Sequence, residues 1–420
     1  MRFNTLAEWL DWQETLNPAG IELGLKRVQA VLDCLGHSTP PFAVVTVGGT
    51  NGKGSSVAML ESILLAGGYQ VGCYTSPHLL RYNERVRIQG REIGDDALCA
   101  AFERVDQARG DIPLTYFEFG TLAAIDIFVR ERPDIVLLEV GLGGRLDAVN
   151  VLDSDVALVT SVGIDHQEWL GPDRESIGRE KAGIFRPGRA AVCGDPDPPA
   201  SLLRYAQQLG ATLYCAGRDF GYRQIDGDWC WWEAGQCSLL LPLPALRGAF
   251  QLQNAAAVLM VLMLLKRQFP LDEEVLRRGL VKVTLPGRFQ IVPGKVTRIF
   301  DVGHNPHAAA VLADTLAGQA FPGRTLAVVG MLADKDHEGM FRLLCPHLDA
   351  WYAADLHVPR GADSEQLSAA IAGSCEGSIV HRFASVTEAY RQAMCDARSG
   401  DRVVVFGSFH TVAEVLPEAV

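Results

Sequence analysis

Apolar and polar positions along the chain fall into two textures. Short apolar runs, AVVTV from Ala43, VGCYT from Val71, IVLLEV from Ile135, VALVTSV from Val156 and AAVCG from Ala190, alternate with segments of helical spacing. Runs of this kind read as strands in a sheet covered on its faces by helices, so the alternation predicts a mostly parallel sheet and an α/β fold. Between Tyr214 and Leu243 the texture changes to short alternating segments around Asp226-Gly227, which predicts a small β-hairpin insertion. The apolar AFQLQNAAAVLMVLMLL that follows predicts a helix. A second strand–helix series begins after Pro286-Gly287-Arg288, with RIFDV from Arg298, TLAVVG from Thr325, AWYAAD from Ala350 and RVVVFG from Arg402. Two domains are therefore expected, 1–287 and 297–420, with residues 288–296 as a linker containing Pro and Gly.

Length agrees with this division, because a single core rarely grows past roughly 250 to 300 residues and the chain has 420. Its 38 basic and 50 acidic residues give a formal charge of −12 without a lysine or arginine run, which argues against nucleic acid or an anionic membrane as principal partner. The ten cysteines are scattered, with no C-x-x-C pair, so neither a zinc site nor a disulfide framework is expected, and reduced thiols in a cytoplasmic protein fit best. The N-terminal MRFNTLAEWLDWQETL carries acids and tryptophans where a signal peptide needs an unbroken apolar core. The apolar stretch from Ala255 to Leu265 is about half the length a membrane span requires.

The stretch VVTVGGTNGKGSS, Val44 to Ser56, places a lysine among four glycines between a strand and a helix. Glycines there let the backbone approach an anion and turn N–H groups towards it, and the helix N-terminus adds positive potential. The loop departs from G-x-x-x-x-G-K-[ST]: the first glycine is replaced by Val47, and Gly54 follows Lys53. It reads as a phosphate site, with Lys53 neutralising the outer phosphates. In open parallel sheets ligands bind beyond the carboxyl ends of strands. Ser76, Glu139 and His166 stand at such ends, and a carboxylate ending a strand beside a phosphate loop is a Walker-B-like arrangement for Mg²⁺. Taken alone, Ser76 could equally be a cap or turn residue, His166 a hydrogen-bonded loop residue, and Lys181 an ordinary helical surface lysine.

Taken together and in order, GGTNGKGS, TSPHL, TYFEFGT, EVGLGGRLDAVN, GIDH, EKAGIF, PGR and DVGHNPHA resemble the folylpolyglutamate synthase and dihydrofolate synthase family of Mur-type ligases. The resemblance implies a P-loop-type N-terminal domain and a smaller Rossmann-like C-terminal domain. It also implies an ATP-dependent amide ligase in which a substrate carboxylate is phosphorylated and the acyl phosphate is captured by the amine of L-glutamate. Carried over by position, it puts Thr50, Asn51, Gly52, Lys53 and Gly54 at the triphosphate, with Asn254, Arg288 and Asp301 as further nucleotide-binding residues. Ser76, Glu139 and His166 are implied ligands of two Mg²⁺ ions, and Lys181 falls where the family has a carbamylated lysine facing the second metal. Glu22, Leu23, Gly24 and Leu25, Thr115, Tyr116, Phe117 and Glu118, and Leu146, Asp147 and Ala148 match the segments that contact the pterin substrate. Tyr116 and Phe117 could equally be core aromatics. His304 is expected to face the glutamate or the acyl phosphate, with Ser408 and His410 closing the same edge.

The wording TYFEFGTLAA and DVGHNPHAA resembles members that both make dihydrofolate from 7,8-dihydropteroate and extend reduced folates. The expected partners are thus 7,8-dihydropteroate, reduced folates and L-glutamate, with no nucleic acid or membrane, and the resemblance leans towards a monomer. A single-function folylpolyglutamate synthase, a P-loop kinase and a nucleotide-binding protein without turnover are the rival readings.

Overall fold

The computed structural model describes residues 2–17, 22–319 and 321–419. The chain divides into two compact units, Met1–Ala245 with Leu252–Val283, and Leu246–Gln251 with Thr284–Val420.

In the first unit the apolar runs become strands β1 (Ala43–Gly48), β2 (Val71–Tyr74), β3 (Val86–Ile88), β4 (Arg91–Glu92), β5 (Ile135–Glu139), β6 (Val156–Val159), β7 (Ala190–Cys193) and β8 (Thr212–Cys215). Among the described residues they form one sheet in the order β4-β3-β2-β5-β1-β6-β7-β8. Pairing is parallel from β2 to β8, and β3 and β4 extend the edge as antiparallel strands. Every residue of β1, β5 and β6 is buried, as expected for central strands covered on both faces.

One layer of this core is strongly aromatic. Helix Leu6–Leu16, closed by a Thr5/Glu8 capping box, buries Trp9 completely against Phe102 and Phe119. The tryptophans that argue against a signal peptide thus build the core, where a fully buried large apolar side chain contributes about 1.5–3 kcal/mol.

The expected hairpin insertion is a three-stranded antiparallel sheet of β9 (Phe220–Ile225), β10 (Asp228–Glu233) and β11 (Gln236–Pro242). Its two tight turns, Asp226-Gly227 and Ala234-Gly235, hold positive φ at both residues, the backbone twist that two-residue hairpins demand. The apolar helix Ala249–Leu265 follows.

The second unit carries β12 (Gln290–Val292), β13 (Thr297–Asp301), β14 (Thr325–Val329), β15 (Ala350–Ala354), β16 (Ile379–Phe383) and β17 (Arg402–Phe406), in the order β12-β13-β17-β14-β15-β16. Residues 288–296 hold β12, which runs antiparallel along β13 as the edge of this sheet. Neither β12 nor β16 stands out in the hydropathy pattern, because both are edge strands that mix exposed and half-buried side chains.

The cysteines depart from the expectation of thiols alone. Cys230 and Cys237 meet as a bonded pair across the β10–β11 hairpin, and Cys345 and Cys375 meet at the ends of two helices, with Cα separations of 5.9 and 5.7 Å. Both pairs are made by tertiary proximity, which spacing along the chain does not encode. Among the described residues no helix is long and apolar enough to cross a membrane.

Candidate functional site

Register places the site. Val47 pairs with Glu139 and Gly48 with Val159, so the glycine loop leaves β1 at the level where β5 ends in a carboxylate and β6 gives way to Thr160-Ser161. The loop is locked to that second edge. Thr50 N–H donates to the Ser161 carbonyl at 2.8 Å, Asn51 N–H donates to Ser161 Oγ at 3.1 Å, and Thr160 Oγ1 donates to the Asn51 carbonyl at 2.7 Å. Thr50 Oγ1 exchanges hydrogen bonds with the backbone of Gly163 at 2.9 and 3.0 Å. Gly49, at φ 145°, has no room for a side chain, since a Cβ would lie 1.9 Å from Thr160 Oγ1. Gly52, at φ 89°, caps helix Lys53–Ala66 and lies against the side chain of Asn254, which brings that expected nucleotide residue to the loop. The Lys53 ammonium donates to the carbonyls of Gly49 and Thr50 at 3.0 and 3.1 Å, and Gly54 continues the first turn of the helix.

Beside the loop, the buried Glu139 carboxylate accepts the Ser76 N–H at 3.2 Å, so two of the expected metal ligands touch. Lys181 lies in the last turn of helix Arg174–Ala182 with only 4% of its surface exposed. Burial pushes its amine down to about 7, the nearby Lys53 charge adds to this, and Asp165 and Asp147 oppose it. It is therefore not a surface lysine. His166, N-terminal to the short helix Gln167–Leu170, is held at φ 51° and donates its backbone N–H to Asp165. Among the described residues no three His, Cys, Asp or Glu side chains form a metal-holding group. A mixed set of hydroxyl, carboxylate and imidazole fits Mg²⁺ all the same, because that ion takes one or two carboxylates and completes its shell with substrate phosphates and water.

The three pterin-contacting segments come together in part. Gly24 N–H donates to the Leu146 carbonyl at 3.2 Å, joining Leu23–Leu25 to Leu146–Ala148. Arg27 bridges Glu22 and Glu118, the latter at 2.9 Å. Glu118 also closes the capping box of helix Tyr116–Glu131 with Thr115. Both glutamates are thus engaged in holding the segments in place. Phe117 lies over Gly141, where a Cβ would come within 2.6 Å of its ring, and Tyr116 packs edge-on to Tyr82. The Asp147 carboxylate is buried and accepts N–H groups of Leu142 and Val149, and desolvation raises it to about 6 against those bonds. Its place inside the GLGGRLDA loop makes it an organiser of that loop, and Ala148 begins the 3-10 turn Ala148–Val151 behind it.

In the second unit Asp301 ends β13, with its carboxylate accepting N–H groups of Gly303 and Phe289 at 2.8 and 2.9 Å. Desolvation raises its pKa, and the neighbouring Arg288 works against that. Arg288 lies 5.1 Å over the ring of Phe409, and His304, whose Nδ1 is 3.0 Å from the Val302 carbonyl, faces the same ring at 6.4 Å. Ser408 is buried in a hydrogen bond with Thr411, and the next residues begin helix Phe409–Ala419, which carries His410.

Thr160 and Ser161, which hold the glycine loop, escape the sequence reading. They sit inside VALVTSV, where they look like two more strand residues, although a Thr-Ser pair at the end of a central strand is the same signal that singled out Ser76 and Glu139.

Residues 287–409 match the Mur ligase, glutamate ligase domain family. Over 411 residues the chain is 48% identical to the dihydrofolate synthase/folylpolyglutamate synthase of Escherichia coli K12, covering 98% of this chain and 94% of that protein. The structure resembles E. coli FolC in complex with DHPP and ADP, with a TM-score of 0.94, 48% identity and coverage of 99% and 97% of the two chains. It is also similar to a bifunctional folylpolyglutamate synthase/dihydrofolate synthase crystallised with Mn, AMPPNP and L-glutamate, with a TM-score of 0.91, 48% identity and coverage of 99% and 98%.

Proposed function

The chain belongs to the dihydrofolate synthase/folylpolyglutamate synthase family, and from that premise we infer that it joins L-glutamate to 7,8-dihydropteroate and adds further glutamates to reduced folates. It is an ATP-dependent ligase. A free carboxylate is a poor acylating agent, so the γ-phosphoryl of ATP is first transferred to it. The glutamate amine then attacks the acyl carbon, the amide bond forms, phosphate leaves, and the nitrogen gives up its proton.

The residue roles rest on the shared strand edge: a glycine loop locked to Thr160-Ser161, with Glu139 and Ser76 in contact and a buried Lys181 electrostatically linked to Lys53. Thr50 to Gly54 and Asn254 bind the triphosphate, with Lys53 moving its charge from loop carbonyls to phosphate oxygens. Arg288 and Asp301 are further nucleotide-binding residues, and His304 faces the glutamate or the acyl phosphate. Ser76, Glu139, His166 and a carbamylated Lys181 hold two Mg²⁺ ions, which supply charge neutralisation on the phosphates when bound. Carbamylation needs an uncharged amine, and an amine lowered to about 7 supplies one near neutral pH. Gly24 and Leu146, together with Tyr116 and Phe117, shape the pterin end. The protein acts as a monomer on small molecules, in the cytoplasm where ATP is supplied.

Phosphate release from ATP and Mg²⁺, measured with dihydropteroate, glutamate, both or neither, tests this reading. Release only with both supports the ligase. ATP consumption that ignores glutamate would fit a kinase, and binding without turnover would fit a regulatory protein.

A further inference from the structure

Arg85 is absorbed by none of the roles above. It ends the 3-10 turn Tyr82–Arg85 just before β3 and is 9% exposed. Its Nε donates to His78 Nδ1 at 2.8 Å, and its guanidinium carbon lies 5.2 Å from the ring centre of Tyr82 and 5.6 Å from that of Tyr116. Among the described residues no carboxylate lies within ion-pair distance of it, whereas Arg87, two residues on, pairs with Glu61 at 2.7 Å. A guanidinium withdrawn from water without a counter-ion is costly, and a protein of net charge −12 has acids to spare for one. The two rings cover the guanidinium, His78 occupies Nε, and the buried Tyr74 hydroxyl is hydrogen-bonded to the same group. The two terminal nitrogens are not among the sealed, unsatisfied polar atoms. The N–H groups beyond those two bonds belong to a planar fork of the shape that matches a carboxylate.

Its position says which carboxylate. The Arg85 carbonyl accepts Thr75 N–H at 2.9 Å, next to Ser76, whose N–H reaches Glu139. Tyr116, on its other side, belongs to the segment at the pterin end. Arg85 thus joins the two: its backbone is bonded beside the edge where a carboxylate is phosphorylated, and its guanidinium lies in the aromatic wall. A dihydropteroate bound there has one carboxylate, the reacting one. A folate carries a second, unreactive carboxylate on the α-carbon of its glutamate, between the ring system and the reacting end.

We propose that Arg85 seats the α-carboxylate of the glutamate already present on a folate, and so favours chain extension over the first glutamate addition. The inference rests on the two-substrate reading above. Arg85→Met should raise KM for a reduced folate monoglutamate by about ten- to a hundredfold, the scale of a lost charge-assisted hydrogen bond, with a several-fold smaller effect on dihydropteroate. Arg85→Lys should recover part of the loss. A folate analogue with hydrogen in place of the α-carboxylate should cost the wild type the same factor and cost Arg85→Met nothing further. Equal losses on the two pterin substrates, or a variant that still discriminates against the analogue, would reduce Arg85 to packing between tyrosines. Wild-type protein that releases no phosphate with either pterin substrate would instead remove the ligase reading on which the proposal stands.

Discussion

Two lysines of the proposed site sit in opposite surroundings. Lys53 rests on the carbonyls of Gly49 and Thr50, partners that a phosphate oxygen outcompetes because the new bond is between opposite charges. Lys53→Ala should lower turnover with both pterin substrates by at least about a hundredfold. Its melting temperature should stay within a few degrees of wild type, since the loop is held separately by Thr160 and Ser161. Near-normal phosphate release by that variant would end the nucleotide assignment. Lys181 is the opposite case, an amine that burial has stripped of easy protonation. Its folded pKa of about 7 lies below the ordinary lysine value of 10.5, so the unfolded chain binds more protons between those values. Without metal and CO₂, stability should therefore rise with pH across that window, and Lys181→Met should flatten the slope in thermal melts. For activity, Lys181→Ala should be nearly inert and partly restored by short-chain carboxylic acids, which replace the missing carbamate oxygens. A ¹³C-bicarbonate spectrum without a carbamate signal in active protein would overturn that role.

At the scale of the element, the β1 loop works because its neighbour β6 ends in the right two residues. Thr160 Oγ1 reaches the carbonyls of both Gly48 and Asn51, so it occupies the space beside Gly49 that a side chain would need. Gly49→Ala meets that hydroxyl and also strains a backbone at φ 145°, so ATP affinity measured by calorimetry should fall about tenfold or more. Adding Thr160→Gly relieves the clash but not the strain, and should not restore wild-type binding; full recovery would show that only the contact mattered. Local periodicity made the central strands legible, since β1, β5, β6, β14 and β17 are continuous apolar runs. The glycine loop and the strand-end Glu139 were legible for the same reason. The edge strands β12 and β16 were not, because an edge needs no apolar pattern on its open side. Thr160, Ser161 and Arg85 were hidden for a different reason. Their importance lies in what the fold sets opposite them, and hydropathy carries no trace of Gly49 facing Thr160 or of Arg85 lying between two tyrosines.

For the whole molecule, one activation chemistry serves two acceptors. Dihydropteroate and a folate both present a carboxylate to the γ-phosphoryl and both receive the same amine. Their reacting carboxylates differ in reach, because the aminobenzoate carboxyl lies closer to the pterin ring than a glutamate γ-carboxyl does. If one phosphoryl site serves both, the ring must bind at two depths, or two pockets must converge on that site. Either arrangement makes each pterin substrate a competitive inhibitor of the other's reaction, with an inhibition constant close to its own KM. Changes at Tyr116 and Phe117, which line the wall by Tyr82 and Gly141, should then alter the two KM values unequally, whereas Lys53→Ala removes both activities together. Steady-state phosphate release with both substrates varied against each other, at saturating ATP, Mg²⁺ and glutamate, is the measurement. Additive rates without mutual inhibition would mean two independent phosphoryl sites, which a chain with one glycine–lysine loop of this kind does not offer.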